Sequence, residues 1–174
     1  MVVLPIRGRA PRLGSRVFIA PSATVVGDVV LGDDVSVWYG VVVRGDVNWV
    51  RIGARCNLQD GAVVHVEHGS FPTLLEDEVS VGHGAIVHGC TLRRGSLIGM
   101  GAIILNGAEV GEGALVAAGA VIREGLVVPP HTLVAGVPAV IKRTLDDDEM
   151  VRVADTAAHY VTYKDSALRG GDGA

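Results

Sequence analysis

An aliphatic side chain recurs at every sixth position along most of this chain. The longest unbroken series runs through Leu92, Ile98, Ile104, Val110, Val116, Ile122, Val128, Val134 and Val140. Three earlier groups keep the same spacing: Leu13, Ile19, Val25, Leu31, Val37 and Val43, then Ile52, Leu58 and Val64, then Leu75, Val81 and Val87. Such a period is typical of neither an amphipathic helix nor a simple strand alternation. It favours short strands and tight turns that wind into stacked coils.

The composition agrees with stacked coils. Glycine occurs 24 times and aromatic residues make up only 4% of the chain, so the large side chains that fill an ordinary globular core are scarce. The pattern resembles the hexapeptide-repeat family, whose fold is a left-handed parallel β-helix, an all-β prism with three six-residue rungs in each coil. Between Leu13 and Ile141 the twenty-one aliphatic positions then imply about seven coils.

The end of the chain has a different pattern. We expect residues 1–143 to form the β-helix domain, because the repeat ends there. The acidic run from Asp146 to Glu149 favours a helix N-terminus, and apolar residues follow at three- or four-residue steps. We therefore predict a C-terminal α-helix within 144–168 that packs on the prism or on a neighbouring subunit. The glycine-rich tail 169–174 is expected to be disordered.

Counting rungs predicts which side chains stack, because rungs three apart share a face and lie about 4.8 Å apart. On one face, the residues directly after the aliphatic residues of three stacked rungs form a first column: Arg44, His65 and His88. A second column lies two residues beyond the rungs of another face: Asp60, His83 and Met100. The two histidines of the first column should therefore lie on adjacent coils.

Stacked imidazoles can supply two ligands to one metal ion, whereas a typical catalytic zinc site has three protein ligands and one open position. The third histidine, His83, belongs to a different face. The simplest geometry that uses it is a homotrimer with three interfacial sites, in which His65 and His88 of one subunit meet His83 of the next. The alternative is that these are unrelated histidines, and that interpretation is kept for the other three, His68, His131 and His159.

Three spaced motifs occur in order: Arg44-Gly45-Asp46, then Asn57-Leu58-Gln59-Asp60-Gly61 leading to His65, then Gly82-His83-Gly84-Ala85-Ile86-Val87-His88. Together they resemble the signature of γ-class carbonic anhydrases. The resemblance implies a Zn²⁺ cofactor, with Fe²⁺ or Co²⁺ as alternatives, held by His65, His83 and His88. It also implies a catalytic set beside the metal that comprises Arg44, Asp46, Gln59, Asp60 and Tyr160.

The implied reaction is the reversible hydration of CO₂ to bicarbonate, for which the metal lowers the pKa of water from about 15.7 to about 7. Val47 stands where the best-known γ-class members carry a glutamate, and the loop after His65 is short, with Glu67 and His68. In the family's pattern that glutamate is the proton shuttle. The resemblance therefore implies a carbonate dehydratase of low activity.

Two other functions stay open on this scaffold. One is a hexapeptide-family acyltransferase or thioesterase-like enzyme, which would bind its cofactor in the cleft between prisms. Such acyltransferases generally present one catalytic histidine on an extended loop, whereas this chain places three histidines in its turn registers. The other is a non-catalytic trimer whose metal only stabilises the interface.

Several partners and compartments are disfavoured. The net charge of -4 and the scattered basic residues offer no stripe for nucleic acid. No run approaches the roughly 18 apolar residues that would span a membrane. The N-terminus lacks the order of a signal peptide, so we expect a cytoplasmic protein. Cys56 and Cys90 lie within apolar repeats without metal or redox spacing, which predicts buried free thiols.

Overall fold

The structure is a computed structural model that describes residues 1–170. Its strands, in chain order, are β1 (Val2–Leu4), β2 (Arg12–Leu13), β3 (Phe18–Ile19), β4 (Thr24–Leu31), β5 (Ser36–Val37), β6 (Val42–Ile52), β7 (Asn57–Leu58), β8 (Val63–His65), β9 (Thr73–Leu75), β10 (Ser80–Val81), β11 (Ile86–His88), β12 (Thr91–Leu92), β13 (Leu97–Ile98), β14 (Ile103–Ile104), β15 (Glu109–Val110), β16 (Leu115–Val116), β17 (Val121–Ile122), β18 (Val127–Val128), β19 (Thr132–Gly136) and β20 (Ala139–Thr144). Helix α1 spans Asp147–Leu168.

Parallel pairing between strands one coil apart builds a prism with three faces. The first face stacks β1, the first halves of β4 and β6, and then β8, β11, β14 and β17. The second face stacks β2, the second halves of β4 and β6, and then β9, β12, β15 and β18. The third face stacks β3, β5, β7, β10, β13, β16 and β19. The predicted parallel β-helix of about seven coils with a C-terminal helix is confirmed.

The rung aliphatics point into the prism and form its core. Leu58 and Ile98 are fully buried, and so are the small residues Ala62 and Ala102 that precede the next rung. Each coil thus contributes large and small side chains that interdigitate with the coils on either side. Leu13 is 46% exposed, because it lies in the first coil and has a neighbouring coil on one side only.

One predicted rung is wrong. Val140 lies in β20, which runs antiparallel to β19, and its side chain is 50% exposed. The seventh rung of the first face is instead Val3 in β1, which pairs with Val25. The spacing could not reveal this, because the chain reverses between β19 and β20 without interrupting the six-residue count.

Two glycines of one turn are required for different reasons. A Cβ added at Gly99 would lie 2.6 Å from the backbone oxygen of Val116 and 2.5 Å from the backbone nitrogen of Ala118, in the next coil. Gly101 has open space around it but adopts a positive φ of 65°. The first glycine allows two coils to approach closely, whereas the second allows the left-handed backbone of the turn.

Helix α1 begins with a capping box. The Asp146 carboxylate accepts a hydrogen bond from the backbone N–H of Glu149 at 2.8 Å, and the Glu149 carboxylate accepts one from the Asp146 N–H at 3.1 Å. The helix then returns across the third face, where it contacts β3, β5 and β7. Its buried residues include Val153 and Ala157. The acidic run predicted to start the helix therefore does so.

A buried lysine fastens the far end of α1 to the first coils. Lys164 has no exposed side-chain surface, and its ammonium donates to the Asp34 carboxylate at 2.8 Å and to the backbone oxygen of Arg16 at 3.2 Å. The Arg16 guanidinium also pairs with Asp34. The hydrogen bond from Arg16 and the nearby Lys164 charge outweigh the effect of burial and lower the pKa of Asp34 to about 2.

The ends of β20 and α1 can be compared with the predicted division of the chain into a prism, a helix and a tail. Strand β20 ends at Thr144, so the last strand extends one residue past the predicted end of the prism at 143. Helix α1 ends at Leu168, and Arg169 caps it. Of the tail predicted to be disordered, residues 171–174 lie outside the described residues. The division into a prism, a helix and a tail stays a prediction.

Two expectations from composition can be compared with this fold. Cys56 and Cys90 are buried free thiols, as predicted, and burial raises the pKa of each to about 12. Over residues 1–170, no helix has both the length and the apolar character needed to cross a membrane.

Candidate metal centre

Two of the predicted ligands meet at the ends of adjacent strands on the first face. His65 ends β8 and His88 ends β11, and the two residues are direct partners in the parallel register. Their rings lie 5.1 Å apart between centroids, and His65 Nδ1 is 3.1 Å from His88 Nε2. The predicted column of imidazoles on adjacent coils therefore exists at the corner between the first and second faces.

An ion pair lies beside this column. Asp46, in the long strand β6, contacts His65 Nε2 at 3.0 Å and also accepts from Arg44 at 2.5 Å. Burial opposes ionisation of Asp46, but these hydrogen bonds outweigh it and lower its pKa. Burial also lowers the pKa of His65. The site therefore favours a neutral imidazole, which is the form that binds a metal.

His83 lies at a different corner of the prism. It occupies the turn between the third and first faces, one coil beyond Asp60, as the bonds from Gly84 N–H to the Asp60 backbone oxygen and from Gly101 N–H to the His83 backbone oxygen establish. His83 Nδ1 lies 2.9 Å from the Asp60 carboxylate, and both side chains are about half exposed. The second predicted column is thus present on another side of the prism.

No group of three His, Cys, Asp or Glu side chains within residues 1–170 is placed to hold a metal ion in a single subunit. The first face separates the corner with His65 and His88 from the corner with His83. The three histidines therefore do not meet within one subunit, and the predicted site between subunits stays a prediction.

The donor geometry fits a metal. Two nitrogen ligands on one tetrahedral zinc lie about 3.3 Å apart, when each Zn–N bond is about 2.05 Å. The 3.1 Å separation between His65 and His88 is close to that value. Histidine ligands commonly give their other ring nitrogen to a carboxylate or carbonyl oxygen, and the contacts of His83 with Asp60 and of His88 with Asn106 follow this rule.

The two remaining predicted site residues flank the Asp60 turn. Gln59 is 6% exposed, and its amide donates to Asn57 at 3.0 Å, so it is held in place. Tyr160 of α1 packs edge-on against Trp38 with 5.7 Å between ring centroids. Burial, and then the charge of Asp60, raise the pKa of Tyr160. Its hydroxyl therefore stays protonated and can act as a hydrogen-bond donor.

Sequence reasoning missed Asn106. Its side-chain oxygen lies 2.7 Å from His88 Nδ1, and its amide nitrogen donates to Glu67 at 2.7 Å. Counting rungs does not point to it, because the column continues from His88 to Leu105, directly after Ile104, and Asn106 lies one residue farther along the chain. Its contact with His88 depends on side-chain geometry.

Comparisons with known proteins agree with this architecture. A family described as bacterial transferase hexapeptide (six repeats) matches residues 10–45 and 89–124. A probable carbonic anhydrase of Methanocaldococcus jannaschii is 53% identical over 86% of this chain and 93% of its own length. Gamma carbonic anhydrase 2, a mitochondrial protein of Arabidopsis thaliana, is 41% identical over 88% of this chain, which spans 57% of that relative's length. This chain belongs to the γ-carbonic anhydrase family of hexapeptide-repeat proteins.

A solved structure with a different description has the same fold. A crystal structure from Bacillus cereus, described as a putative acetyltransferase, superposes with a TM-score of 0.91 and 40% identity, over 94% of each chain. The γ-carbonic anhydrase family therefore shares its prism with proteins described as acyl-transferring enzymes. The fold alone does not separate the two activities, and the side chains at the corners must do so.

Proposed function

We propose that this protein is a γ-class carbonic anhydrase that hydrates CO₂ reversibly to bicarbonate. The observation that carries the proposal is the placement of His65 and His88 as register partners, with His83 at the opposite edge of the same face. Three imidazoles from two subunits match the ligand number of a catalytic zinc site. The family relationship supports the same reaction.

The surface of the first face supports a homotrimer. Its outward column is apolar from the third coil onward and consists of Val42, Val63, Ile86, Ile103 and Val121. Ile86, in the middle of this column, is 37% exposed. Helix α1 covers part of the third face, and the second face carries charged side chains such as Arg51 and Glu109. The first face is thus the best candidate for burial against another subunit.

A metal at this interface, Zn²⁺ or alternatively Fe²⁺ or Co²⁺, would be held by His65 and His88 of one subunit and His83 of the next. When bound, it supplies a hydroxide nucleophile near neutral pH by lowering the pKa of water from about 15.7 to about 7. Three imidazoles suit all of these metals, so the donor set does not choose among them.

The residues around the histidines hold them in place. Both carboxylate oxygens of Asp60 are engaged, one by His83 and the other by the backbone N–H of Tyr39 at 3.2 Å. Asp60 therefore orients His83. Asp46 does the same for His65, while Arg44 balances its charge. Gln59 and the protonated hydroxyl of Tyr160 are the polar groups that would position bicarbonate near Asp60.

The proton must leave the site by another route than in the best-known members, because Val47 cannot carry it. His68 is exposed in the loop between β8 and β9. One carboxylate oxygen of Glu67, Oε2, accepts a hydrogen bond from Asn106. We therefore propose slow proton release and a turnover that depends on external buffer.

The test is stopped-flow CO₂ hydration by anaerobically purified protein of known metal content. We compare the wild type with His83→Ala and with His131→Asn, a control in which asparagine tolerates the positive φ of position 131. Hydration should be lost in the first variant and kept in the second. Fully metallated wild type without hydration activity would refute the proposal.

The description of the Bacillus cereus structure favours acyl transfer as a second candidate. Titration of the full-length protein with acetyl-CoA, followed by calorimetry, separates the two activities. Tight binding together with absent CO₂ hydration would support acyl transfer. Absent binding together with metal-dependent hydration would remove it.

A further inference from the structure

One side chain outside the predicted set contacts a proposed metal ligand from the next coil. Asn106 follows β14, and its Oδ1 lies 2.7 Å from His88 Nδ1. Its Nδ2 donates to Oε2 of Glu67, also at 2.7 Å. Asn106 is half-buried, so both of these contacts are partly shielded from water.

The contacts of Asn106 with Glu67 and with His88 fix the direction of each hydrogen bond. An asparagine amide has one end that donates and one end that accepts, whereas a carboxylate only accepts. Glu67 must therefore accept its hydrogen bond from the NH₂ group of Asn106. The carbonyl oxygen of Asn106 then faces His88. Because an oxygen cannot donate, Nδ1 of His88 must carry the ring proton. The lone pair of His88 is then on Nε2.

The backbone of Glu67 is itself held by hydrogen bonds. Its backbone N–H donates to the Phe71 backbone oxygen at 3.0 Å, and its own backbone oxygen accepts from Asn48 Nδ2 at 3.1 Å. These two hydrogen bonds fix the position in the loop from which the Glu67 carboxylate extends. At the other end, His88 Nε2 faces His65 at 3.1 Å, in the gap where the cation is proposed to bind.

We infer that Asn106 is a positioning residue, which sets the tautomer of His88 and keeps Nε2 ready to bind a divalent cation. The inference rests on the proposed metal site and adds a residue to it. Neighbours that orient a metal-binding histidine in this way typically contribute about 10- to 100-fold in metal affinity. Asn106 acts through His88 and touches neither substrate nor metal.

The test measures zinc affinity of the full-length protein by competition with a chelator. Asn106→Leu should weaken zinc binding by about 10- to 100-fold. Asn48→Leu is the matched control, because it removes a hydrogen bond to the same Glu67 without touching His88. Its zinc affinity should stay near that of the wild type.

Two further measurements separate positioning from general damage. In the zinc-loaded protein, the NMR signal of the His88 Nδ1–H proton should be protected from exchange with water in the wild type and exposed in Asn106→Leu. The double variant Asn106→Asp with Glu67→Gln reverses the hydrogen bond between residues 106 and 67, because the glutamine amide now donates to the aspartate. It keeps an acceptor oxygen toward His88. It should restore zinc affinity close to the wild-type value.

The outcomes distinguish this inference from the proposed function. If the wild type binds zinc and Asn106→Leu binds it equally tightly with the Nδ1–H still protected, the role of Asn106 is refuted and the metal site stands. If Asn48→Leu loses as much affinity as Asn106→Leu, the loop anchor and not the tautomer is responsible, which also refutes it. A wild type that binds no zinc refutes both proposals.

Discussion

His65 and His88 occupy the same register position on adjacent coils, with 3.1 Å between Nδ1 of the first ring and Nε2 of the second. The spacing follows from the β-helix itself, because neighbouring strands repeat at about 4.8 Å and like positions lie directly above one another. Two copies of one repeat thus provide two of the proposed ligands. The third proposed ligand, His83, lies at a different corner, so the proposal takes it from a neighbouring subunit.

Mixed trimers test the shared site directly. His83→Ala protein keeps the His65 and His88 side of the site, and His65→Ala protein keeps the His83 side. Each variant alone should be inactive, whereas trimers that contain both should recover about one site in three, because one interface pairs the two intact halves. Zinc content and CO₂ hydration after refolding of the mixture measure this recovery. No recovery from mixed trimers would contradict a site shared between subunits.

A charge on the first face should prevent assembly. Ile86→Glu places a carboxylate in the middle of the apolar column, where burial of an unpaired charge is costly. We expect monomers in analytical ultracentrifugation, together with an unchanged β-sheet spectrum in circular dichroism. Val127→Glu is the matched control, because Val127 is 60% exposed and lies on the second face. A trimer that withstands Ile86→Glu would place the interface elsewhere.

Restoring the family's glutamate should speed proton release. Val47→Glu introduces a titratable carboxylate beside Asp46, whereas Val47→Gln adds a side chain of similar size that cannot carry a proton. At low buffer concentration the first variant should exceed both the wild type and the second variant in kcat. At saturating buffer the three should converge, since the buffer then removes the proton. Equal rates at low buffer would mean that Val47 does not limit turnover.

The buried ion pair at the end of α1 should make stability depend on pH. The pKa of Asp34 is about 2 in the folded protein, compared with an ordinary value of 3.8. A lowered folded pKa stabilises the protein above the unfolded pKa, and that contribution disappears as the pH falls from about 4 toward about 2. Asp34→Asn should cost roughly 2–3 kcal/mol at pH 7, because Lys164 loses its buried partner.

The measurement is urea unfolding of wild type and Asp34→Asn between pH 7 and pH 2. The difference in unfolding free energy should shrink as the pH falls, since the wild-type carboxylate becomes protonated and resembles the variant. A difference that stays constant over this range would mean that Asp34 stabilises the helix contact without its charge.

The two glycines of one turn should differ in tolerance. The Cβ of Gly101→Ala would contact no neighbouring atom. The substitution therefore costs only the backbone strain of alanine at a positive φ, about 1–2 kcal/mol. Gly99→Ala places Cβ against backbone atoms of the next coil, which cannot move aside like a side chain. We therefore expect a larger drop in Tm for Gly99→Ala than for Gly101→Ala. Equal drops would show that the coils can separate.

The repeat allowed most of the architecture to be predicted, because each rung contributes one large inward residue at a fixed spacing. The count correctly placed His65 and His88 in one column and Asp60 and His83 in another. It failed at Val140, because a reversal of the chain leaves the six-residue spacing intact. The contact of Asn106 with His88 was missed, because it depends on side-chain geometry and not on spacing.

Strand β20 has a consequence beyond the subunit. The last coil of a solenoid exposes strand edges to which an identical prism could add its own strands in parallel. On the third face that edge belongs to β19, and the antiparallel β20 occupies it. A second prism therefore cannot pair with β19 in parallel, and the coils cannot continue in register on this face. The return strand thus acts against end-to-end polymerisation of prisms at the third face.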